Sequence, residues 1–306
     1  MVSIVDWLVF GIAFFSLLAI DIFLHRGSHV QSAREAGMWS IVWIGAGLLF
    51  TGYVGVSIDS ERAQEYIGTY LIEKSLSLDN LFLFMLIFQT LHIPDSLQPK
   101  ALLYGVFGAL FFRALFIVAG IEAIEHFHWV TFLFGLILFW AAYQTVRRDP
   151  RRATKSRIVD WLYRHFKVSQ EIHDSKFFVY EYGERKVSPF FVAIIGLELT
   201  DILFAIDSIP AALSVSRNIF IVYSSNAFAI LGLRSLYLAM HGYLERYRYL
   251  HYGLGGILFF AGVKIVLAEY VAIPAWVSTV VTVSILTAAV WMSSRPRLTQ
   301  NSKGLP

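Results

Sequence analysis

Apolar residues in this chain fall in long runs divided by short polar stretches. Nine runs are long enough to cross a bilayer: 4–24, 38–57, 70–91, 101–121, 129–146, 189–213, 221–241, 252–269 and 273–293. A helical crossing needs roughly 20 residues. The pattern predicts an all-α, polytopic transmembrane helical bundle of about nine spans, one transmembrane domain over 1–306. One polar connection, 147–188, is long. Within it Ile158, Val159, Trp161, Leu162 and Phe166 lie among basic residues and predict an amphipathic surface helix. Phe177 to Val187 alternates about Gly183 and predicts a short hairpin. The plainer alternative for this segment is a topology-fixing linker.

Composition agrees with the pattern. The chain is 57% hydrophobic and 15% charged, against about a quarter charged in soluble domains. Its 306 residues contain no cysteine, which excludes disulfides, thiolate metal sites and cysteine nucleophiles. The formal charge of +3 does not point to nucleic acid, because the basic residues flank the spans. The first apolar run lacks a basic leader and a small-x-small site, so it is read as a span.

Lys and Arg also set the orientation. With the N-terminus outside, nineteen basic residues fall on the inner side, eleven of them between Arg147 and Lys186; only Arg62 and Arg217 fall outside. This predicts N-out, C-in, with 147–188 a basic cytoplasmic loop meeting lipid headgroups.

The spans themselves carry charge. Glu73-Lys74-Ser-Leu-Ser-Leu-Asp79-Asn80 lies in the third, and Glu198-Leu-Thr-Asp201-Ile-Leu-Phe-Ala-Ile-Asp207-Ser208 in the sixth. Laying Asp207 over Asp79 puts Asp201 on Glu73 and Ser208 on Asn80. The match continues: Gly105–Arg113 resembles Asn226–Arg234, with Arg at the same offset. The third to fifth spans (70–146) thus repeat as the sixth to eighth (189–269). A repeat of three spans must re-enter from the opposite side, and inverted repeats are a transporter signature with the site at their interface.

At 100° per residue, Glu73, Ser77 and Asn80 share one helix face; Asp201, Ala205 and Ser208 share the matching one, with Glu198 a turn earlier. Asp79 and Asp207 lie off those faces, so a break or kink is expected in each span, at Pro210 and near Ser75 and Ser77. Unbroken helices are the alternative. An oxygen-only set of Glu73, Asp79, Asn80, Glu198, Asp201, Asp207 and Ser208 suits a hard cation such as Mg²⁺, Ca²⁺ or Mn²⁺. Arg113, Arg234 and Lys74 are the expected charge partners, and a purely structural ion network is the alternative. Asp6 and Glu269 are set aside as lying at outer span ends. Six intramembrane acids then face four bases, a surplus of two negative charges. Asp21, with His25, either joins the site or marks the interface. His126 and His128 beside Trp129 read as an aromatic belt. Lys264 either snorkels or pairs with a carboxylate. No Walker A motif is present and no enzymatic activity is expected.

At Glu73–Asn80, at Asp201-Ile-Leu-Phe-Ala-Ile-Asp207-Ser208-Ile-Pro210-Ala, and at Ser225-Asn226-Ala-Phe-Ala-Ile-Leu-Gly-Leu-Arg234, the chain resembles the TerC/Alx family of bacterial membrane proteins. The likeness covers about 10–270. It implies membership of the LysE superfamily of inverted-repeat exporters, an inner-membrane location and export of a divalent cation, with Mn²⁺ as substrate. It implies no cofactor. Tellurite, suggested by the family name, is an oxyanion that six carboxylates would repel. The rivals are a LysE-type amino-acid exporter and a non-transporting membrane partner protein of the stress response; the oligomeric state is left open.

Overall fold

The computed structural model describes residues 2–24, 32–127, 129–147, 157–169, 174–181, 183–240, 249–268, 270–271 and 273–294. In chain order it contains α1 (Ile4–Leu24), α2 (Ala33–Ser57), α3 (Ser60–Thr90), α4 (Gln98–His126), α5 (Trp129–Arg147), α6 (Arg157–His165), β1 (Phe178–Glu181), β2 (Glu184–Val187), α7 (Pro189–Leu213), α8 (Ile219–Ile230), α9 (Leu233–Met240), α10 (Leu250–Leu267) and α11 (Ala275–Ser294). Local signals set several starts. Asp59 caps α3 by accepting from Arg62 N at 2.7 Å, Ser188 caps α7 with a proline next in line, and Asn218 caps α8.

Among the described residues seven segments are long and apolar enough to cross a membrane, with α8 and α9 together forming one of them. Two of the nine expected runs fall short of that measure: α3, which carries Glu61, Arg62, Glu65, Glu73, Lys74 and Asp79, and the short apolar helix His251–Leu267. The outer faces are apolar, with Val56 91% and Leu49 79% exposed, as suits contact with lipid. Helices α3, α4, α7 and α8 pack together at the centre; α5 lies along α10, α11 lies against α3 and α10, and α2 packs on α9 and α3.

Where the polar connection is described, it forms the expected helix and hairpin. Val159 and Leu162 of α6 are buried against α7, while Trp161, Tyr163 and Phe166 are exposed. β1 and β2 pair antiparallel from Phe178↔Val187 to Glu181↔Glu184, and Gly183 takes φ +80° at the turn.

The expected breaks are absent from α3 and α7, which both run through their motifs. Ser75 and Ser77 turn their hydroxyls back onto the carbonyls of Leu71 and Glu73 and satisfy themselves within the helix. Pro210 stands three residues before the end of α7, where the lost backbone donor disturbs little. The break lies instead in the seventh run, between α8 and α9, at Leu231 and Gly232. Gly232 has φ +78°, and a Cβ there would lie 2.5 Å from the Trp43 side chain, so glycine is required on both counts.

Candidate functional site

The centre of the bundle is organised by Arg113. Its guanidinium, only 2% exposed, forks onto Asp201, with Nε donating to Oδ2 and Nη2 to Oδ1, each at 3.0 Å. Nη1 donates to Glu73 Oε2 at 2.5 Å and to Asn226 Oδ1 at 3.1 Å. One arginine thus joins α3, α4, α7 and α8. A planar five-donor fork makes this possible where an ammonium could not. Two carboxylates and one guanidinium leave this triad with one net negative charge.

The shared faces read from the spacing are real. Glu73, Ser77 and Asn80 are all buried, as are Asp201, Ala205 and Ser208. Two small cavities flank Arg113. One, of about 10 Å³, is lined by Asn80, Arg113, Asp207 and Ser208 among others. The other, of about 20 Å³, is lined by Ser77, Asn80, Arg113 and Asp201 among others. Each has room for about one water-sized particle. Asn80 Oδ1, Ser208 Oγ and Glu73 Oε1 are buried oxygens with no hydrogen-bond partner among the described residues. Buried polar atoms are seldom left so. Asp207 is half-buried at the first cavity. Asp79 falls on α3 one residue before Asn80; its side chain lies outside the described residues. Among the described residues no three His, Asp or Glu side chains converge as a ready metal site; the acids of the triad are held by Arg113.

Glu198 lies a turn from Asp201 with its carboxylate directly over Gly108: a Cβ at that glycine would be 2.2 Å from the carboxyl group. Its Oε2 is buried without a hydrogen-bond partner among the described residues.

The other proposed charge partners go elsewhere. Arg234 does not reach the triad; its Nη2 meets Asp21 Oδ1 at 3.1 Å and the Asp21 carbonyl at 3.0 Å, tying α9 to α1. Asp21 therefore belongs with Arg234, and His25 lies outside the described residues. Lys74 donates to the carbonyls of Ala229 at 3.0 Å and Leu231 at 3.4 Å, so it serves the α8–α9 break and not an acid. Lys264 is buried and so does not snorkel; it donates to Ser278 Oγ at 2.7 Å and feels the charge of the Glu65 carboxylate. Asp6 stands in the first turn of α1, at the end of that span as expected, yet it is 5% exposed and accepts from Ser3 N, Ser3 Oγ and Tyr53 Oη. His126 and Trp129 are exposed beside Phe127, as a belt requires, while His128 and Glu269 lie outside the described residues.

Comparison with known proteins sets these features in a family. Residues 58–301 match the profile described as Integral membrane protein TerC family. The chain belongs to the TerC family. A relative named "Putative membrane-bound redox modulator Alx" in Escherichia coli (strain K12) is 36% identical over 292 residues, covering 92% of this chain and 91% of its own. The protein of the same name in Salmonella typhi is 36% identical over 293 residues, covering 92% and 91%. An "Uncharacterized membrane protein" of Rickettsia bellii (strain RML369-C) is 34% identical over 291 residues, covering 94% and 96%. No solved structure matches. This TerC-family chain is a multi-pass membrane protein whose long apolar helices suit lipid contact.

Asn226, Gly108 and the Gly232 break are what sequence reasoning missed. Asn226 and Gly232 had a signal: an amide in a buried apolar run, and a lone glycine six residues after it. Gly108 had none, since its use depends on which helix faces it.

Proposed function

We propose that this protein exports a hard divalent cation, Mn²⁺, across the bacterial inner membrane, with the carboxylate site between the two repeats as its binding point. The observation that carries the reading is the set of unpartnered buried oxygens on Glu73, Asn80 and Ser208, two of them lining a cavity with Asp207 beside a carboxylate pair held by one arginine. Oxygen donors without His or Cys fit Mg²⁺, Ca²⁺ or Mn²⁺. Arg113 acts as the resident cation: a dication drawing in Glu73 or Asp201 replaces guanidinium bonds, and the guanidinium returns when the ion leaves. Asp79, the repeat partner of Asp207, completes the set.

The inverted-repeat reading has support from packing. The helices that the repeat makes equivalent lie against one another: α3 on α7, α4 on α8, α5 on α10. α3 and α7 run antiparallel, since Glu65 meets Ser216 at one level and Glu73 meets Asp201 through Arg113 at another. With α3 and α10 crossing, the count is nine and the N-terminus is outside. A reporter fused near residue 60 should be external and one fused near 165 cytoplasmic; the reverse would break the orientation.

The amino-acid exporter alternative needs a helix break open to a carboxylate. The α8–α9 break is closed by Trp43 and its carbonyls by Lys74. A redox role like that in the relatives' name would have no thiol of this chain to act through. The deciding experiment is Mn²⁺ flux in proteoliposomes. Purified protein should carry Mn²⁺ well above empty vesicles, and flux equal to empty vesicles would overturn the reading.

A further inference from the structure

The polar ties of α8 and of α9 go to different partners. Asn226 of α8 accepts from Arg113 at 3.1 Å and so belongs to the centre. Arg234 of α9 meets Asp21 of α1 at 3.1 Å, and Tyr237 Oη donates to Gln98 Oε1 at the start of α4 at 2.9 Å. α9 also packs on α2, with Gly232 hard against Trp43. What joins α8 to α1 and α2 is a set of rings, Phe220 and Phe228 against Phe10 and Phe50. Apolar attraction is non-directional, so faces of this kind can slide on one another.

Between the two halves the backbone is held from another helix. Leu231 N–H donates to Ala227 O at 3.0 Å at the end of α8, and Leu236 N–H donates to Gly232 O at 2.9 Å in the first turn of α9. Lys74 Nζ of α3 spans the junction, donating to Ala229 O at 3.0 Å and to Leu231 O at 3.4 Å. An ammonium placed there also meets the negative end of the α8 dipole. Lysine suits a moving joint. Its stem is flexible and its three donors rotate, whereas a guanidinium is a rigid plane. The joint also adjoins the site. Ile230 and Leu233, one on each side of the break, line the cavity of Ser77, Asn80, Arg113 and Asp201, and Lys74 directly follows Glu73.

We propose that the α8–α9 break is the hinge of the transport cycle, with Lys74 as its joint. This rests on the reading of the centre as a cation site. An ion that draws Glu73 or Asp201 off Arg113 also loosens the hold of the guanidinium on Asn226. α8 is then free to swing about Gly232, while α9 stays with α1, α2 and the start of α4. Leu231 and Gly232 absorb the change in backbone angle, as a few residues do in hinges generally. Lys74 follows the carbonyls of Ala229 and Leu231 through the swing, so that they never stand unbonded in an apolar surrounding.

Hydrogen exchange of the full-length protein in lipid nanodiscs, with and without millimolar Mn²⁺, tests this on the unaltered chain. A swing at Gly232 opens the bonds of Leu231 and Leu236 from time to time, and exchange reads such openings. On adding Mn²⁺ those two amides should exchange faster by about fivefold or more, while the amides of Tyr237–Met240 and of α1 should not change. Asp207→Asn should abolish the response. No change at Leu231 and Leu236, a rise shared by all of α9 and α1, or a response kept in Asp207→Asn would overturn the hinge. Lys74→Arg then tells a joint from a prop, since it keeps the charge and the donors but not their freedom to rotate. Its thermal midpoint should stay near wild type while Mn²⁺ flux in proteoliposomes falls by about tenfold. Wild-type flux would overturn the role of Lys74; should the variant not fold, exchange in the unaltered chain decides alone. Wild-type protein that carries Mn²⁺ without any exchange response leaves the exporter reading standing and sinks the hinge. Protein that neither carries Mn²⁺ nor responds to it sinks both.

Discussion

Arg113→Gln is expected to yield little or no folded protein. The guanidinium is buried and holds two acids and an amide from three other helices. Removing it leaves Glu73 and Asp201 facing each other in a low-dielectric core. Breaking a buried ion pair by deleting one partner costs about 3–5 kcal/mol, and two carboxylates lose their partner here. That compares with a total stability of about 5–15 kcal/mol for ordinary proteins. Arg113→Lys restores charge but not the fork, so it should fall between wild type and Gln. A variant that also carries Glu73→Gln and Asp201→Asn removes the orphaned charges and should recover folding without recovering transport. The readouts are the monodisperse fraction in detergent and the thermal midpoint. A wild-type midpoint for Arg113→Gln would show that the triad is not what holds the centre together.

Asp207→Asn is expected to fold and to fail. The amide keeps the size and one oxygen of the carboxylate at a half-buried position beside the small cavity. What goes is the charge. In a low-dielectric site each unit charge beside a dication counts for several kcal/mol, and about 1.4 kcal/mol is one decade of affinity. The expected loss of Mn²⁺ flux is roughly 100-fold or more at matched expression. Asp79→Asn should match it, and the double variant should be no worse than either, since one shared site fails once. Flux by either single variant within a few-fold of wild type would sink the shared site. Asp6→Asn, in contrast, is a poor control: Asp6 accepts three hydrogen bonds at the start of α1, so its loss bears on stability.

The two expectations differ in how far the sequence foretold them. That Glu73 and Asn80 would share a face with Asp201 and Ser208 across the interface followed from helical spacing and the repeat alone. The hairpin at Gly183 followed from alternation and the helix around Leu162 from its apolar positions, though which of those positions turn inward did not. Partner choice did not follow. Arg113 and Arg234 occupy the same place when the two halves of the sequence are laid over each other, yet one takes Glu73 and Asp201 and the other takes Asp21. The difference comes from α1, which lies outside the repeat and supplies Asp21 to one copy only. The position of the break was also hidden. Proline and serine mark weak points in an isolated helix, but Pro210 sits near an end and the serines bond back within their own helix, so the weak points in α3 and α7 hold.

The break between α8 and α9 bears on how the protein is made. At 1.5 Å per residue the twelve residues of α8 and eight of α9 reach about 18 Å and 12 Å, and neither alone crosses a hydrocarbon core of about 30 Å. The carbonyls at their junction would go unsatisfied in lipid, at several kcal/mol each. Their donor, Lys74, is more than 150 residues upstream and leaves the ribosome long before them. This late candidate span therefore draws on an early helix for its stability. Residues 219–240 can settle into the bilayer only against an α3 that is already there, which gives the bundle an order of assembly written into a single ammonium group.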